Sequence, residues 1–295
     1  MKQNWKMMLR RLKAFATTTT ERLQIFTNLV YLREIEYGRG GERILKIDIL
    51  HRRNLPEEAM PVLVWIHGGG WCQGRKEEGI KWLIPFANRG YFCASIEYRL
   101  SQEAHFPAQI EDCKCAIRFL GAHAKKFHLK EECIGVWGIS AGGHLAALLG
   151  TTSHVKKLEG QGGWHQFSSR VRAVCDWFGP TDFLRMNDFP SKIDHDAADS
   201  PEGMPIGGAI QENQEKAARA NPITYLTGEA SPFPIVHADN DRLVPFNQSQ
   251  LLYEALKQAG VEVTLEMVKG GGHGEKFNAS IVLKKVEKFF NKHLQ

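Results

Sequence analysis

The chain has 295 residues, more than a typical single domain, yet α/β enzymes commonly build this length around one sheet, so one large domain is expected. With 43% hydrophobic and 24% charged residues the composition is ordinary for a globular protein and excludes a disordered chain. The net charge of +5 arises from Lys and Arg scattered among the acids, except in the first residues, and implies no nucleic-acid partner.

Met1 to Thr20 carry Lys2, Lys6, Arg10, Arg11 and Lys13 with no acid before Glu21. No uninterrupted apolar segment follows these charges, so no secretory signal is expected. The cytoplasm is then the default compartment, with secretion the alternative if a signal has been removed. Trp5, Met8, Leu9, Leu12 and Phe15 recur at helical spacing and predict a cationic amphipathic arm within residues 1–30. It is expected to pack on the body or over the active site rather than on a membrane. No run approaches the length of a transmembrane span.

Residues 31–295 read as the main domain. Arg33–Tyr37 and Ile44–Leu50 predict an antiparallel hairpin turning through Gly38-Arg39-Gly40-Gly41. Val62–Ile66 is a short apolar run of the kind buried on both faces of a sheet. A helix over Trp82–Arg89, a strand over Tyr91–Ile96 and a helix from Pro107 to Phe127 follow. Cys133–Trp137 reads as a strand that gives way abruptly to a helix over Ala141–Leu149. The alternation resumes with strands at Val171–Trp177 and Ile235–His237, a helix over Gln248–Ala259, a strand over Val261–Val268 and a last helix over Phe277–His293. Such alternation predicts a mainly parallel sheet covered by helices on both faces, with its binding crevice at the carboxyl ends of the strands. Between Gly179 and Pro234 the pattern lapses, apart from a helix near Glu212–Ala220. The segment 179–234 therefore reads as an excursion over the active-site end.

The six cysteines stand at 72, 93, 113, 115, 133 and 175, without Cys-x-x-Cys spacing or a clustered set of histidines, so no metal is expected and the thiols read as reduced. Cys93, Cys133 and Cys175 fall in apolar strands and are expected to be buried. Cys72 follows a glycine loop, where an exposed thiol is expected.

Gly138-Ile139-Ser140-Ala141-Gly142 matches G-x-S-x-G between a strand and a helix, the context in which a tight turn holds a nucleophilic serine above the sheet. His67-Gly68-Gly69-Gly70 follows the strand ending at Ile66. Its glycines let backbone amides approach a ligand, and the amides of Gly69, Gly70 and Ala141 are the expected oxyanion hole. Downstream, His237 to Pro245 follows one strand and Gly270-Gly271-Gly272-His273-Gly274 another. The order serine, acid, histidine makes His273 the general base. On position alone either Asp239 or Asp241 could be the acid.

At these residues the sequence resembles the α/β-hydrolase esterases, specifically the bifunctional acetylxylan and feruloyl esterase-like branch related to hormone-sensitive lipase. The resemblance runs from about Ile44 to His293. It rests on His67 to Trp71, Phe106-Pro107-Ala108-Gln109, Asp112, Trp137 to Leu145, Phe178 to Asp182 and His237 to Pro245. In the family pattern H-G-x-x-D-x-x-V-P the aspartate is the triad acid, which falls on Asp241; Ala238 replaces the usual glycine. The resemblance implies an α/β-hydrolase fold and a serine carboxylesterase acting on short acyl esters, among them acetyl or feruloyl esters of plant polysaccharide. It implies no cofactor and a small-molecule or carbohydrate ester as partner, and leaves a homo-oligomer open. His67 to Trp71 also resembles the H-G-G-x-W loop of arylformamidases, which makes an amide hydrolase the rival within the class. A non-catalytic ligand-binding protein on a hydrolase scaffold is the rival from another class.

Overall fold

Eight strands form a single sheet in the computed structural model, which describes residues 28–277 and 280–295. The cationic helix expected before residue 21 lies outside the described residues. The first strand begins at Leu29, two residues before the expected start of the main domain at residue 31.

The strands are β1 (Leu29–Gly40), β2 (Arg43–Arg52), β3 (Met60–Ile66), β4 (Phe92–Ile96), β5 (Leu129–Ile139), β6 (Ala173–Trp177), β7 (Phe233–Ala238) and β8 (Val263–Val268). They lie in the order β1-β2-β4-β3-β5-β6-β7-β8. β1 and β2 pair antiparallel, as do β2 and β4; every pairing from β4 to β8 is parallel. The hairpin turns at Gly41-Glu42, later than expected, so Gly38 and Gly40 remain inside β1. A Cβ at Gly38 would collide with Cys115 Sγ; this glycine serves close approach to a helix and not the turn.

The helices are α1 (Ile80–Asn88), α2 (Ala108–Ala122), α3 (Ala124–Phe127), α4 (Ala141–Thr151), α5 (Gly203–Ile206), α6 (Gln214–Ala220), α7 (Asn247–Gln258) and α8 (Ser280–Leu294). The single helix expected from Pro107 to Phe127 is split at His123, whose ring Nδ1 lies 2.9 Å from the Phe119 carbonyl. Successive side chains of a strand point to opposite faces. Accordingly Val62, Val64 and Ile66 join the core that includes residues of α2, α4 and α7, while Leu63 and Trp65 join the one that includes residues of α1 and α8. Cys93 and Cys175 are buried as expected, but Cys133 is half-buried. It precedes Gly135, where β6 begins to pair with β5, so one flank lacks a strand neighbour. All six thiols are free.

The chain leaves β3, pairs on one side through β4, and returns on the other through β5. The loops after β3 and β5 therefore diverge at a topological switch point, where a crevice opens.

Candidate active site

β5 ends one residue before Ser140 and α4 begins one residue after it, so the serine alone makes the turn. Its backbone sits at φ 52°, ψ −123°, a conformation costing about 1–3 kcal/mol that persists only where surroundings enforce it. Two features do so. The Ser140 amide donates to the Trp177 carbonyl at 2.8 Å. α4 is also pulled close against β3 and β5: a Cβ at Gly138 would collide with the Gly142 carbonyl, and one at Gly142 with the carbonyls of Ile66 and His67. The two glycines of G-x-S-x-G are thus sites of close approach.

Ser140 Oγ lies 3.0 Å from His273 Nε2, and His273 Nδ1 lies 2.7 Å from Asp241 Oδ2. Both separations are within the range for nucleophile, base and orienting acid. The Asp241 side chain is fully buried, whereas His273 is partly open to the cavity. Asp241 Oδ1 accepts from the amides of Leu243 (2.9 Å) and Val244 (3.0 Å). Burial acts to raise its pKa, but hydrogen bonds from His237, His273 and the Leu243 amide outweigh this and hold the carboxyl well below the usual carboxylate range. Asp239, the other acid on this loop, is exposed and accepts from the Gly270 amide at 2.6 Å, tying the β7 loop to the β8 loop.

Gly69 and Gly70 adopt φ values of 109° and 58° in the loop after β3. Their amides, and that of Ala141 at the first position of α4, make no backbone hydrogen bond among the described residues. A Cβ at Gly68 would lie 3.2 Å from Ser140 Cβ, so this loop abuts the serine. The loop is anchored from behind: Trp71 Nε1 donates to His144 Nδ1 at 3.2 Å, and His144 Nε2 donates to the Ala220 carbonyl at 2.7 Å. Burial drives the pKa of His144 down to about 4, and that of His67 likewise, so both rings are neutral near pH 7.

These groups meet in a cavity of about 420 Å³ whose other walls include Phe178, Pro180, Ile193, His195, Pro201, Glu202, Leu243 and Val244. Residues from the 179–234 excursion thus line it. Cys72 is partly exposed there, with Sγ 3.5 Å from the Gly69 carbonyl. A larger cleft of about 920 Å³ lies between the β1–β2 turn, α2 and residues 153–169, lined partly by ion pairs such as Arg99–Asp112 (2.7 Å). It contains none of Ser140, Asp241 or His273. Among the described residues no group of three or more His, Cys, Asp or Glu is placed to hold a metal, and no helix is long and apolar enough to cross a membrane.

Three groups escaped the sequence reading. His237 is buried with Nε2 3.3 Å from Asp241 Oδ2, its Nδ1 accepting from Ser249 Oγ at 2.7 Å. Phe178 packs edge-on against His273 with centroids 4.7 Å apart. His195 pairs with Glu202 at 2.7 Å in the cavity wall. His237 left a signal as the first residue of the pattern that picks out Asp241, and Phe178 as the first of the Phe178 to Asp182 motif; His195 and Glu202 left none.

A family model, BD-FAE, matches residues 47–256. Esterase LipC of Mycobacterium tuberculosis is 31% identical over 247 residues, covering 83% of this chain and 60% of its own length. Among solved structures, a truncated form of a carbohydrate esterase from gut microbiota superposes with a TM-score of 0.82 at 30% identity, covering 90% of this chain and 97% of that one. A bifunctional GH43-CE protein of Bacteroides eggerthii superposes equally well, with a TM-score of 0.82 at 37% identity, over 90% of this chain and 38% of that one. The chain thus spans about three fifths of LipC and a smaller part of the bifunctional protein.

Proposed function

Since the chain belongs to the BD-FAE family and has the α/β-hydrolase fold, we propose that it is a serine carboxylesterase for short acyl esters, with acetyl or feruloyl esters of carbohydrate as its substrate class. The observation that carries this reading is the unbroken hydrogen-bonded series from Ser140 Oγ through His273 to Asp241, at 3.0 and 2.7 Å. The carbohydrate esterase likenesses support the substrate class.

In this mechanism His273 Nε2 takes the Ser140 proton as Oγ attacks the ester carbonyl. The amides of Gly69, Gly70 and Ala141 stabilise the oxyanion of the tetrahedral intermediate, each such donor contributing about 2.7–4 kcal/mol in comparable enzymes. The intermediate collapses, the C–O bond to the alcohol breaks, and the proton on Nε2 passes to the departing alkoxide. Water then repeats the sequence on the acyl-serine, releasing the acid and restoring the free hydroxyl. Asp241 keeps a proton on Nδ1, so that Nε2 is the free lone pair facing the serine.

The test is a panel of p-nitrophenyl esters of increasing acyl length, acetylated xylan, methyl ferulate and N-formylkynurenine, together with a fluorophosphonate probe. Turnover of short esters and covalent labelling at Ser140 are expected. A preference of about tenfold or more for the formamide, a difference of ~1.4 kcal/mol, would make the protein an amide hydrolase instead. Folded protein that neither turns over esters nor labels at Ser140 would be a binding protein.

A further inference from the structure

We propose that Glu202 is a substrate-recognition residue, accepting a hydrogen bond from an uncharged hydroxyl group of the ester. The proposal rests on the esterase reading above and gives it a chemical preference.

Glu202 lies in the wall of the cavity that holds Ser140 and is 2% exposed. The residue before it, Pro201, packs on the oxyanion loop: a Cβ at Gly70 would lie 3.3 Å from Pro201 Cβ. One carboxylate oxygen, Oε2, is committed to His195 Nδ1 at 2.7 Å, and His195 Nε2 lies 3.0 Å from Ser191 Oγ on its other side. Among the described residues no donor reaches the second oxygen, Oε1, and it is not among the buried atoms sealed without a partner. Bracing of this segment does not need it. Ser200 already ties the turn by donating to the His195 carbonyl (2.9 Å) and accepting from the Gly203 amide (2.8 Å).

A nearly buried carboxylate oxygen without a donor is costly unless the occupant of the cavity supplies one. Among the described residues no Lys or Arg lines this cavity, and the Gln73 amide that does makes no hydrogen bond to Oε1, so the donor is one that the ligand brings. A primary ammonium would bring three donors to one free oxygen, and its other two would have to reach the remaining polar side chains of the wall, Gln73 and Glu78. A hydroxyl brings one donor and is satisfied. The hydroxyl can come from the sugar on the alcohol side or from the phenol of a feruloyl group on the acyl side.

Three matched pairs of esters distinguish these sources: methyl 2-O-acetyl-xyloside against its 3-deoxy and against its 4-deoxy counterpart, and methyl ferulate against methyl 3-methoxycinnamate. In the wild-type protein kcat/KM should favour the hydroxylated member of at least one pair by about tenfold or more, because a site built around a hydroxyl leaves its own acceptor unpaired with the analogue. Glu202→Gln keeps an acceptor for His195 but replaces the free carboxylate oxygen by an amide donor, and should reduce that preference to within about threefold, chiefly through KM. Glu202→Met, which has the length but no acceptor, should behave alike. If Glu202→Met fails to fold, Glu202→Gln decides alone. Wild-type protein indifferent to all three deletions, or a Glu202→Gln variant that slows all members equally, overturns the proposal. If none of the esters is cleaved by wild type, the esterase reading itself has failed.

Discussion

Replacing Asp241 with asparagine is the sharpest test of the triad, because the structure dictates how the new amide would sit. Asp241 Oδ1 accepts two backbone amides, from Leu243 and Val244, at 2.9 and 3.0 Å. An asparagine must keep its carbonyl oxygen there, since turning its NH₂ toward two N–H groups would leave three buried donors facing one another. The NH₂ is then forced into the place of Oδ2, toward His273 Nδ1. It donates to that nitrogen and drives the ring proton to Nε2, the atom that should accept the Ser140 proton. The base is thereby occupied while the loop keeps its shape. The equivalent wrong-tautomer change in a serine protease costs ~10⁴ in kcat, about 5.5 kcal/mol of barrier. The assay is p-nitrophenyl acetate turnover at pH 7.5 beside the urea midpoint, with Asp239→Asn as control. Asp239 makes a single exposed bond to the Gly270 amide and should cost no more than about threefold. Asp241→Asn retaining a tenth of wild-type kcat, or Asp239→Asn proving the more damaging, would remove Asp241 from the mechanism.

Three further outcomes follow from the same geometry. Ser140→Ala should abolish ester turnover and fluorophosphonate labelling while moving the unfolding free energy by no more than about 0.5 kcal/mol, since among the described residues its hydroxyl bonds only to His273; near-native rates would exclude it as nucleophile. Gly142→Ala should lose about 3 kcal/mol or more, or fail to fold, because its Cβ meets the carbonyls of Ile66 and His67, atoms held by the sheet; a native Tm would contradict that packing. Asp176 is fully buried with Oδ2 unpartnered, and burial pushes its pKa up from 3.8 to about 7, so its contribution is whole below 3.8 and is lost as pH rises toward 7, about 4 kcal/mol in all. His67 and His144, lowered by burial from 6.5 to about 4, act oppositely: their contribution is present above 6.5 and lost as pH falls toward 4. Asp176→Asn should therefore raise the urea midpoint near pH 8, converge with wild type near pH 4, and leave a steeper acid decline; parallel curves at all pH values would show that Asp176 does not titrate in this range.

What was legible in the sequence is what local chemistry dictates. The strand, turn and helix around G-x-S-x-G were legible because the constraint on Gly138 and Gly142 comes from a turn only a few residues long. The parallel strands read correctly because burial on both faces needs continuous apolar runs such as Val62–Ile66. Which side chains of the 179–234 segment form the cavity wall did not read, because their contacts are not local. His195 sits in Asp194-His195-Asp196, a polar stretch that looks like solvated surface, yet the ring is fully buried against Glu202. Phe178 stands in a motif that carries the family resemblance, but only the fold sets its ring against His273. Cys133 failed for the complementary reason: its strand is apolar, but the neighbour that would cover it starts two residues later.

The sheet order also explains why the histidine loop is built from glycine. Ser140 follows β5, Asp241 follows β7 and His273 follows β8, and β6 separates the first two strands. With neighbouring strands about 4.8 Å apart, three spacings put the end of β8 roughly 14 Å from that of β5, farther than an imidazole reaches from its own backbone. The loop after β8 must therefore carry His273 back across the ends of β7 and β6. Gly270 and Gly274, at φ 64° and 72°, supply two left-handed bends on either side of it. Asp239 pins the start of this loop through the Gly270 amide, and Asp241 pins its histidine. Phe178, at the end of β6, fills the space beneath the returning ring. Asp239 and Asp241 thus act in succession on one loop, the exposed acid holding the backbone that makes the crossing and the buried one orienting the imidazole it delivers.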